Sequence, residues 1–309
     1  PSMSALPVVL VLGPTASGKT GLAVALARRF DGEVISADAM AVYRGMDVGT
    51  AKPAPAERGG VPHHCLDWLE PEDRCDVSRW LTMADAATAG IAGRGRLPII
   101  AGGSPLYTKA YLEGLSAGPP RDETVRRLLH ERYAAIGGEA LLEELRQVDP
   151  DYAADRHPND QRRIVRALEV HRLTGRPYSS FHVTDGKRRP GLRPLLIGLR
   201  WDKPELHRRI NARAKAMFAE GLIDEVRRLR PRLCPEAAQA VGYKEVIELL
   251  DGRIDEATAL YHVQRNSRQL AKQQLNWYRR FRDIHWLPGD ADDVQEQAAE
   301  LVVAFQASS

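Results

Sequence analysis

Residues 13–20 read Gly-Pro-Thr-Ala-Ser-Gly-Lys-Thr, a complete match to the phosphate-binding loop pattern G-x-x-x-x-G-K-[ST]. The apolar run Val8 to Leu12 precedes this loop and is typical of a buried parallel strand. Leu22, Leu26 and Phe30 follow at helical spacing, so we predict a helix that begins inside the motif. A strand, a glycine loop and a helix N-terminus together turn backbone N–H groups toward an anion.

Two side chains of the loop add specific contacts to this cradle. Lys19 can reach terminal phosphate oxygens, and the hydroxyl of Thr20 suits a Mg²⁺ ion. The pattern therefore predicts a bound polyphosphate, but it does not specify which one. The predicted ligand-binding residues are Gly13, Pro14, Thr15, Ala16, Ser17, Gly18, Lys19 and Thr20.

The composition is that of a globular chain that can hold a large core. Its 309 residues, 43% hydrophobic and 28% charged, suit one domain with an insertion or two domains. No apolar run approaches the roughly 20 residues of a membrane span, and no secretory signal is recognisable. The cysteines Cys65, Cys75 and Cys234 form no C-x-x-C pair, so a cytoplasmic setting is expected.

The charge is unevenly distributed along a chain whose net charge is only +3. One basic stretch has few acids and a second, from Arg265 to Arg282, lies near the C-terminus. These clusters indicate either a polyanion touching particular faces or solvated helix surface. The first stretch contains Arg156, Arg162, Arg163, Arg166, Arg172, Arg176, Lys187, Arg188, Arg189 and Arg193.

Further strand-loop-helix units predict an α/β fold with a parallel sheet and helices on both faces. The apolar segments 33–36 and 97–101 are typical of strands, and a helix is predicted from Val77 to Ile91. Ligands of such sheets lie at the carboxyl ends of the strands. The loops at 13–20, 38–45 and 102–105 are therefore expected to converge on one site.

A break at residues 116–120 separates this pattern from a helical block. Helices are predicted at 123–136, 138–147 and 160–173, a strand at 195–199, and only helices from residue 204 onward. We therefore expect a P-loop core formed by residues 1–117 and 193–309. Residues 118–192 are expected to form an all-helical insertion domain.

Two polar residues follow predicted strands near the phosphate loop. Asp38 suits a Mg²⁺ ligand, a general base or a simple loop cap. Ser104 suits either a hydrogen bond to a leaving phosphate oxygen or a helix cap. No second strand ends in four apolar residues and an Asp, which disfavours a motor or switch ATPase.

Several motifs, in order along the chain, resemble the tRNA dimethylallyltransferases, also called tRNA isopentenyltransferases. The phosphate loop is one of them, and Val-Tyr-Arg-Gly-Met-Asp-Val-Gly-Thr-Ala-Lys-Pro at 42–53 is the most specific. The others are Gly-Gly-Ser-Pro-Leu-Tyr at 102–107, His-Pro-Asn-Asp at 157–160, Arg-Ala-Leu-Glu at 166–169, Val-Gly-Tyr-Lys-Glu at 241–245 and Arg-Gln-Leu-Ala-Lys-Gln-Gln-Leu-Asn-Trp-Tyr-Arg at 268–279.

The resemblance implies transfer of a dimethylallyl group from dimethylallyl diphosphate to N6 of adenosine 37, just 3′ of the tRNA anticodon. The loop at 13–20 would then hold a diphosphate rather than ATP, with Mg²⁺ as cofactor. Asp38 would be the catalytic base, and Ser104 stands where the family has Thr beside the bridging oxygen of the diphosphate. Arg213 matches a family arginine that helps to bind the diphosphate. A cytoplasmic monomer that acts on the anticodon stem-loop is expected.

The resemblance also implies a set of tRNA contacts. They are Ala39, Met40, Ala41, Arg126, Arg162, Arg163, Arg166, Gly242, Tyr243, Lys244, Arg268, Lys272 and Trp277. The sequence departs from the family at Ala39 and Ala41, where the family has a hydroxyl and an amide, and at Arg162, where Gln is usual. The alternatives are an adenylate isopentenyltransferase, a small-molecule kinase that uses ATP, and an RNA-binding module with an inactive P-loop.

Overall fold

The computed structural model describes residues 5–115, 120–181 and 188–308. The chain divides into two compact units, which are Pro1–Leu112 with Arg189–Ser309, and Glu113–Arg188. The domain boundary predicted between residues 117 and 118 and the basic Lys187 lie outside the described residues. The second boundary was predicted between 192 and 193, and the division falls between 188 and 189.

The larger unit contains six strands, which are β1 (Leu6–Leu12), β2 (Gly32–Ser36), β3 (His63–His64), β4 (Leu97–Gly102), β5 (Leu192–Arg200) and β6 (Ile284–Pro288). They form one parallel sheet in the order β3-β2-β4-β1-β5-β6. The register places Leu12 of β1 opposite Gly102 of β4 and Gly198 of β5, so β1 and β4 end at the same level and β5 continues to Arg200. The predicted α/β class and parallel sheet are confirmed.

Helices connect the strands and form most of the smaller unit. The helix predicted to start inside the phosphate loop begins at Lys19. In chain order, the helices are α1 (Lys19–Arg29), α2 (Pro55–Arg58), α3 (Val77–Gly93), α4 (Pro105–Glu113), α5 (Glu123–Ile136), α6 (Gly138–Val148), α7 (Pro150–Ala153), α8 (Gln161–Thr174), α9 (Lys203–Ala219), α10 (Leu222–Leu229), α11 (Pro235–Ala238), α12 (Tyr243–Leu250), α13 (Glu256–Tyr278) and α14 (Val294–Ala307).

Helices cover both faces of the sheet. Successive side chains of β1 point alternately into two apolar clusters, one on each face. Val9 and Val11 pack with residues of α1 and α14 on one face. Val8, Leu10 and Leu12 pack with residues of α3, α4, α10 and α12 on the other. A strand that is apolar on both faces reads as an unbroken apolar run, which is the pattern that revealed β1.

Two strands were missed by the sequence pattern. The prediction of helices alone after residue 204 is wrong at β6, which pairs with β5 at the edge of the sheet. This strand has only five residues, is only partly buried and ends in Pro288. A proline is tolerated at a sheet edge, where it breaks no central ladder. The other missed strand, β3, has two residues inside a segment that we expected to be loop-dominated.

The smaller unit has its own apolar core, built from the three helices that the sequence predicted there. The residues Leu129, Leu141, Leu145, Ile164 and Leu168 come from α5, α6 and α8 and are fully or almost fully buried. The helical character predicted for this segment is thus seen in the described residues 120–181. Across the described chain, no helix is both long and apolar enough to cross a lipid bilayer.

Gly102 is required by the close approach of β4 to the segment after β2. A Cβ atom at this position would lie 2.2 Å from the carbonyl oxygen of Ala37. We expect Gly102→Ala to reduce the free energy of unfolding by about 3 kcal/mol, because backbone atoms must move to relieve this overlap. Urea denaturation followed by circular dichroism measures the change.

Gly93→Ala is the matched control, since nothing lies within 4 Å of a Cβ atom at the end of α3. This variant is expected to be as stable as the parent protein or slightly more stable. Equal unfolding midpoints for the two variants would show that the contact at Gly102 does not constrain the fold.

Candidate active site

The phosphate loop connects β1 directly to α1 and is tightly wound. Gly18 has a φ of 90° and Ala16 a φ of 63°, both in the left-handed region. The N–H of Ser17 donates to the carbonyl oxygen of Pro14 over 3.2 Å. The unpaired N–H groups at the start of α1 therefore lie where the loop opens, which is the arrangement that binds phosphate groups.

Two basic side chains meet at this loop. The Lys19 ammonium donates to the carbonyl oxygen of Pro14 over 3.1 Å. Arg213 of α9 donates to the hydroxyl of Thr15 over 3.2 Å and to the carbonyl of Thr50 over 3.5 Å. Burial and the nearby Arg213 lower the pKa of Lys19 to about 8, although Asp38 opposes this shift. Burial lowers the pKa of Arg213 too. Such a pair of poorly hydrated cations favours a bound anion.

Further contacts hold the phosphate loop from α9 and β5, and sequence reasoning missed them. Arg209 donates to the carbonyl of Ala16 over 2.9 Å, and the indole N–H of Trp201 donates to the carbonyl of Ser17 over 2.9 Å. The guanidinium of Arg209 lies 4.1 Å from the centre of the Trp201 ring. These side chains bind the carbonyl oxygens of Ala16 and Ser17 and thereby hold the loop in its wound conformation.

Asp38 follows β2 and forms a turn with its own backbone. Its Oδ1 atom accepts from the N–H of Met40 over 2.8 Å and of Ala41 over 3.2 Å. The loop-cap role considered for this residue is therefore present. It occupies only one carboxylate oxygen, and Asp38 also lines the cleft beside the phosphate loop. The Oδ2 atom of Asp38 takes no part in this turn and is available to contact a ligand in the cleft.

The strand β4 delivers Gly102, Gly103 and Ser104 to the same edge of the sheet. Gly102 and Gly103 line the cleft. Ser104 caps α4, since its Oγ accepts from the N–H of Tyr107 over 3.5 Å. The capping role that we weighed for Ser104 is therefore seen, and its hydroxyl hydrogen remains available as a donor.

Gln274 of α13 links two of these loops, and no sequence signal singled it out. Its Oε1 accepts from the N–H of Thr15 over 2.8 Å, and its Nε2 donates to the carbonyl of Gly103 over 2.6 Å. One turn later the hydroxyl of Tyr278 donates to the carbonyl of Gly102 over 3.3 Å. The buried side of α13 therefore fixes the phosphate loop relative to the end of β4.

One cleft, with a cavity volume of about 180 Å³, is lined by the phosphate loop, Asp38, Gly103, Arg213 and Gln274, whereas Ser104 is not among its lining residues. Lys19, Asp38 and Arg213 line this cleft together with further polar side chains, among them Lys52 and His63, and apolar side chains also line it. All of its lining residues belong to the larger unit. The apolar and small residues include Met40, Ala41, Leu66, Met217, Ala240, Val241, Val263 and Leu270.

Two family models match this chain. A family model described as IPP transferase matches residues 41–281, and one described as isopentenyl transferase matches residues 6–67. A tRNA dimethylallyltransferase of Geobacillus thermodenitrificans is 44% identical over 303 residues, which is 97% of this chain and 95% of that protein. The chain belongs to the IPP transferase family.

Solved structures of the IPP transferase family share the fold. The tRNA isopentenylpyrophosphate transferase of Bacillus halodurans is 38% identical, with a TM-score of 0.73 and coverage of 98% of this chain and 97% of that one. A eukaryotic dimethylallyltransferase described as acting on tRNA is 26% identical, with a TM-score of 0.80 and coverage of 98% and 79%. The resemblance predicted from the motifs is confirmed.

The family motif at 241–245 has an internal role in this chain. The Tyr243 ring is fully buried and its hydroxyl donates to Glu225 over 2.5 Å. Gly242 is buried as well, and its N–H donates to Glu245. The prediction that the side chain of Tyr243 contacts tRNA is therefore corrected, because a buried ring offers no surface to RNA. Lys244 is partly exposed, and its tRNA contact stays a prediction.

The basic residues of α13 that were predicted to contact tRNA differ in their exposure. Lys272 is exposed, whereas Arg268 is partly buried and donates to the Asn211 amide oxygen over 2.5 Å. Trp277 is half-buried beneath Arg280, whose guanidinium carbon is 4.8 Å from the ring centre. The tRNA contacts assigned to these residues stay predictions.

The basic residues predicted to contact tRNA from the smaller unit fall into two pairs. Arg126 and Arg166 both bind the fully buried carboxylate of Glu169, so they form part of the internal structure. Arg162 and Arg163 are exposed. The second pair is thus better placed to contact RNA phosphates than the first.

The donor groups of the cleft suit a Mg²⁺ ion bound mainly through phosphate. Among the described residues no cluster of three His, Cys, Asp or Glu side chains could hold a metal alone. Thr20 and Asp38 nevertheless line the cleft together. Mg²⁺ commonly takes one or two protein oxygens and completes its shell with phosphate oxygens and water. The residues present therefore fit Mg²⁺ that arrives with a diphosphate.

The lowered pKa of Lys19 predicts a pH-dependent affinity for dimethylallyl diphosphate. The free protein loses the ammonium charge as the pH rises through about 8, and a bound diphosphate favours the charged form. Affinity should therefore fall above pH 8, by up to roughly tenfold per pH unit. Isothermal titration calorimetry between pH 7 and 9.5, with RNA absent, measures this slope.

Lys19→Gln removes the titrating group and serves as the control. Its affinity should be weak and should no longer decline between pH 8 and 9.5. A decline of the same slope in both proteins would assign the pH dependence to another group.

Proposed function

We propose that this chain transfers the dimethylallyl group of dimethylallyl diphosphate to N6 of adenosine 37 in tRNA. The bond between C1 and the diphosphate oxygen breaks, the C1–N6 bond forms, one N6 proton is lost and diphosphate leaves. The observation that carries the proposal is the cleft itself. It places the phosphate loop, Lys19 and Arg213 at one end and the carboxylate of Asp38 beside them.

The charges of the cleft support departure of a diphosphate. An allylic C–O bond ionises readily once its leaving group is stabilised, and preorganised cations and N–H donors provide that stabilisation. Lys19, Arg213 and the first N–H groups of α1 would perform this role. Ser104 would donate its hydroxyl hydrogen to the bridging oxygen. Mg²⁺ held by Thr20 and phosphate oxygens would add Lewis-acid neutralisation of the same charge.

The position of Asp38 supports its proposed role as the base that acts on the acceptor, the N6 amine of adenosine. An exocyclic adenine amine is a poor nucleophile, so a carboxylate that accepts its proton lowers the barrier. The turn formed through Oδ1 fixes the side chain, and Oδ2 would receive the proton. Apolar side chains of the cleft such as Met40, Leu66 and Leu270 would contact the isoprenoid chain and an extruded base. Extrusion of the base costs least in a single-stranded loop.

The proposed active site is complete within one chain, since all lining residues of the cleft come from its larger unit. A monomer is therefore sufficient for the reaction. A tRNA substrate also fits the cytoplasmic setting expected from the cysteine pattern. The exposed side chains Arg162, Arg163 and Lys272 would bind RNA phosphates.

The proposal predicts that Lys272→Ala weakens tRNA binding and flattens its dependence on salt. Removal of one phosphate contact should reduce the slope of log K against log salt by about one. Filter binding of tRNA at several salt concentrations measures this slope. Arg29→Ala is the control, because Arg29 pairs with Glu296 on the opposite face of the sheet from α13. Equal slopes for the two variants would exclude Lys272 from the RNA interface.

The reaction is tested by incubating the protein with labelled dimethylallyl diphosphate, Mg²⁺, tRNA and free adenine nucleotides together. Label in tRNA is the expected result. Label in AMP, ADP or ATP alone would contradict it and identify an adenylate isopentenyltransferase. ATP consumption without prenyl transfer would indicate a kinase, and tRNA binding without either reaction would indicate an inactive RNA-binding module.

A further inference from the structure

A buried carboxylate on α10 binds the backbone of the segment that follows Asp38. Glu225 is only 5% exposed. Its two oxygens accept from three successive N–H groups, those of Asp47 at 3.0 Å, Val48 at 2.8 Å and Gly49 at 3.0 Å. Successive N–H groups directed at one point form an anion-binding concavity, and here the chain fills it with its own side chain.

Tyr243 completes this buried site from α12. Its hydroxyl donates to Glu225 over 2.5 Å, and burial together with that carboxylate raises the pKa of the phenol. The phenol therefore stays a donor. Its ring packs against Gly49, where a Cβ atom would lie 2.4 Å from Cε2. Gly49 is thus held in two ways: its N–H donates to Glu225, and its Cα packs against the Tyr243 ring.

The next residue of the same segment contacts the diphosphate end of the cleft. Thr50 accepts from Arg213 through its carbonyl oxygen over 3.5 Å, and its hydroxyl donates to the carbonyl of Met46 over 2.6 Å. Residues 49–53 line the cleft itself. Lys52 also faces the segment, and its ammonium binds the side chains of Asp47 over 2.8 Å and of Asp67 over 2.5 Å. Asp47 and Arg228 act electrostatically on Tyr243. A single turn therefore joins Glu225 on one side to Arg213 on the other.

We propose that Glu225, assisted by Tyr243, is a positioning residue that sets Arg213 for the diphosphate through the turn at 47–50. This inference rests on the proposed function, because it assigns Arg213 to the diphosphate. Under this proposal, the motifs at 42–53 and 241–245 act together to position Arg213. The first supplies the three N–H groups and Thr50, and the second supplies the phenol.

The binding of inorganic diphosphate, measured by calorimetry with no tRNA present, tests the inference without requiring transfer. Glu225→Gln keeps the size of the side chain but cannot accept at both positions, because one of its polar atoms is a donor. We expect affinity to fall about tenfold, which is the scale of one charge-assisted hydrogen bond to the ligand. Asp224→Asn changes the exposed acid next along α10 and should leave affinity unchanged.

The decisive comparison repeats these measurements in an Arg213→Ala background. If Glu225 acts through Arg213, the effect of Glu225→Gln disappears there. An equal loss in both backgrounds would overturn the proposal, because it would reflect general damage to the fold. Unchanged affinity for Glu225→Gln in the parent protein would overturn it too.

Tyr243→Phe provides the same test if Glu225→Gln does not fold, because the ring that packs on Gly49 is retained. A loss of about threefold in the parent protein that vanishes with Arg213→Ala supports the proposal. Unchanged affinity in the parent, or an equal loss in both backgrounds, contradicts it. A failure of the proposed function is seen separately, as absence of transfer to tRNA by the parent protein.

Discussion

Asp38→Asn is expected to lower kcat for prenyl transfer by about 10²- to 10⁴-fold, the usual contribution of a general base. The amide oxygen of Asn can still accept from the N–H groups of Met40 and Ala41, so the turn should persist. The amide cannot take the N6 proton. Single-turnover transfer with saturating tRNA and dimethylallyl diphosphate measures the loss, and filter binding should show unchanged tRNA affinity.

Asp76→Asn is the matched control, since Asp76 caps α3 by accepting from the N–H of Arg79. That variant is expected to retain full turnover. Full turnover by Asp38→Asn would remove the role of general base and leave Asp38 as a loop cap. Loss of tRNA affinity together with turnover would instead assign Asp38 to RNA binding.

Arg213→Ala is expected to lower kcat/KM for dimethylallyl diphosphate by about 10²- to 10³-fold, the scale of losing one preorganised donor to a developing charge. We expect this loss because the Arg213 guanidinium contacts both Thr15 of the phosphate loop and Thr50 of the neighbouring turn. Steady-state kinetics with varied dimethylallyl diphosphate at saturating tRNA measures the change.

The control for this prediction is Arg208→Ala on the same helix, where Arg208 is exposed and pairs with Glu205. Its kinetics should match those of the parent protein. If Arg213→Ala changes only the KM for tRNA, Arg213 belongs to the RNA interface and not to the diphosphate site.

The central strands and the phosphate loop were predictable from local sequence. The buried run of β1 and the glycine pattern at 13–20 are set by contacts close in sequence, so their signals are strong. The edge strand β6 gave no such signal, because it is short and only partly buried. Its pairing with β5 depends on tertiary contact, which a local pattern does not encode.

The residues that organise the cleft from a distance were harder to find. Gln274 binds Thr15 across 259 positions of the chain, and its place in the motif at 268–279 does not indicate which partner it binds. Tyr243 was predicted to face RNA because its motif resembles the family, whereas its ring lies in the core. A motif identifies which residues matter in a family, but only the packing shows whether they face the ligand or hold the groups that do.

The most direct test of the account compares two anticodon stem-loop RNAs that differ at position 37. One carries adenosine there, and the other carries inosine, which lacks the exocyclic amine. After incubation with dimethylallyl diphosphate and Mg²⁺, mass spectrometry should show one added dimethylallyl group on the adenosine RNA and none on the inosine RNA. Equal addition to both RNAs, or addition to neither under conditions in which both bind, would contradict transfer to N6 in this cleft.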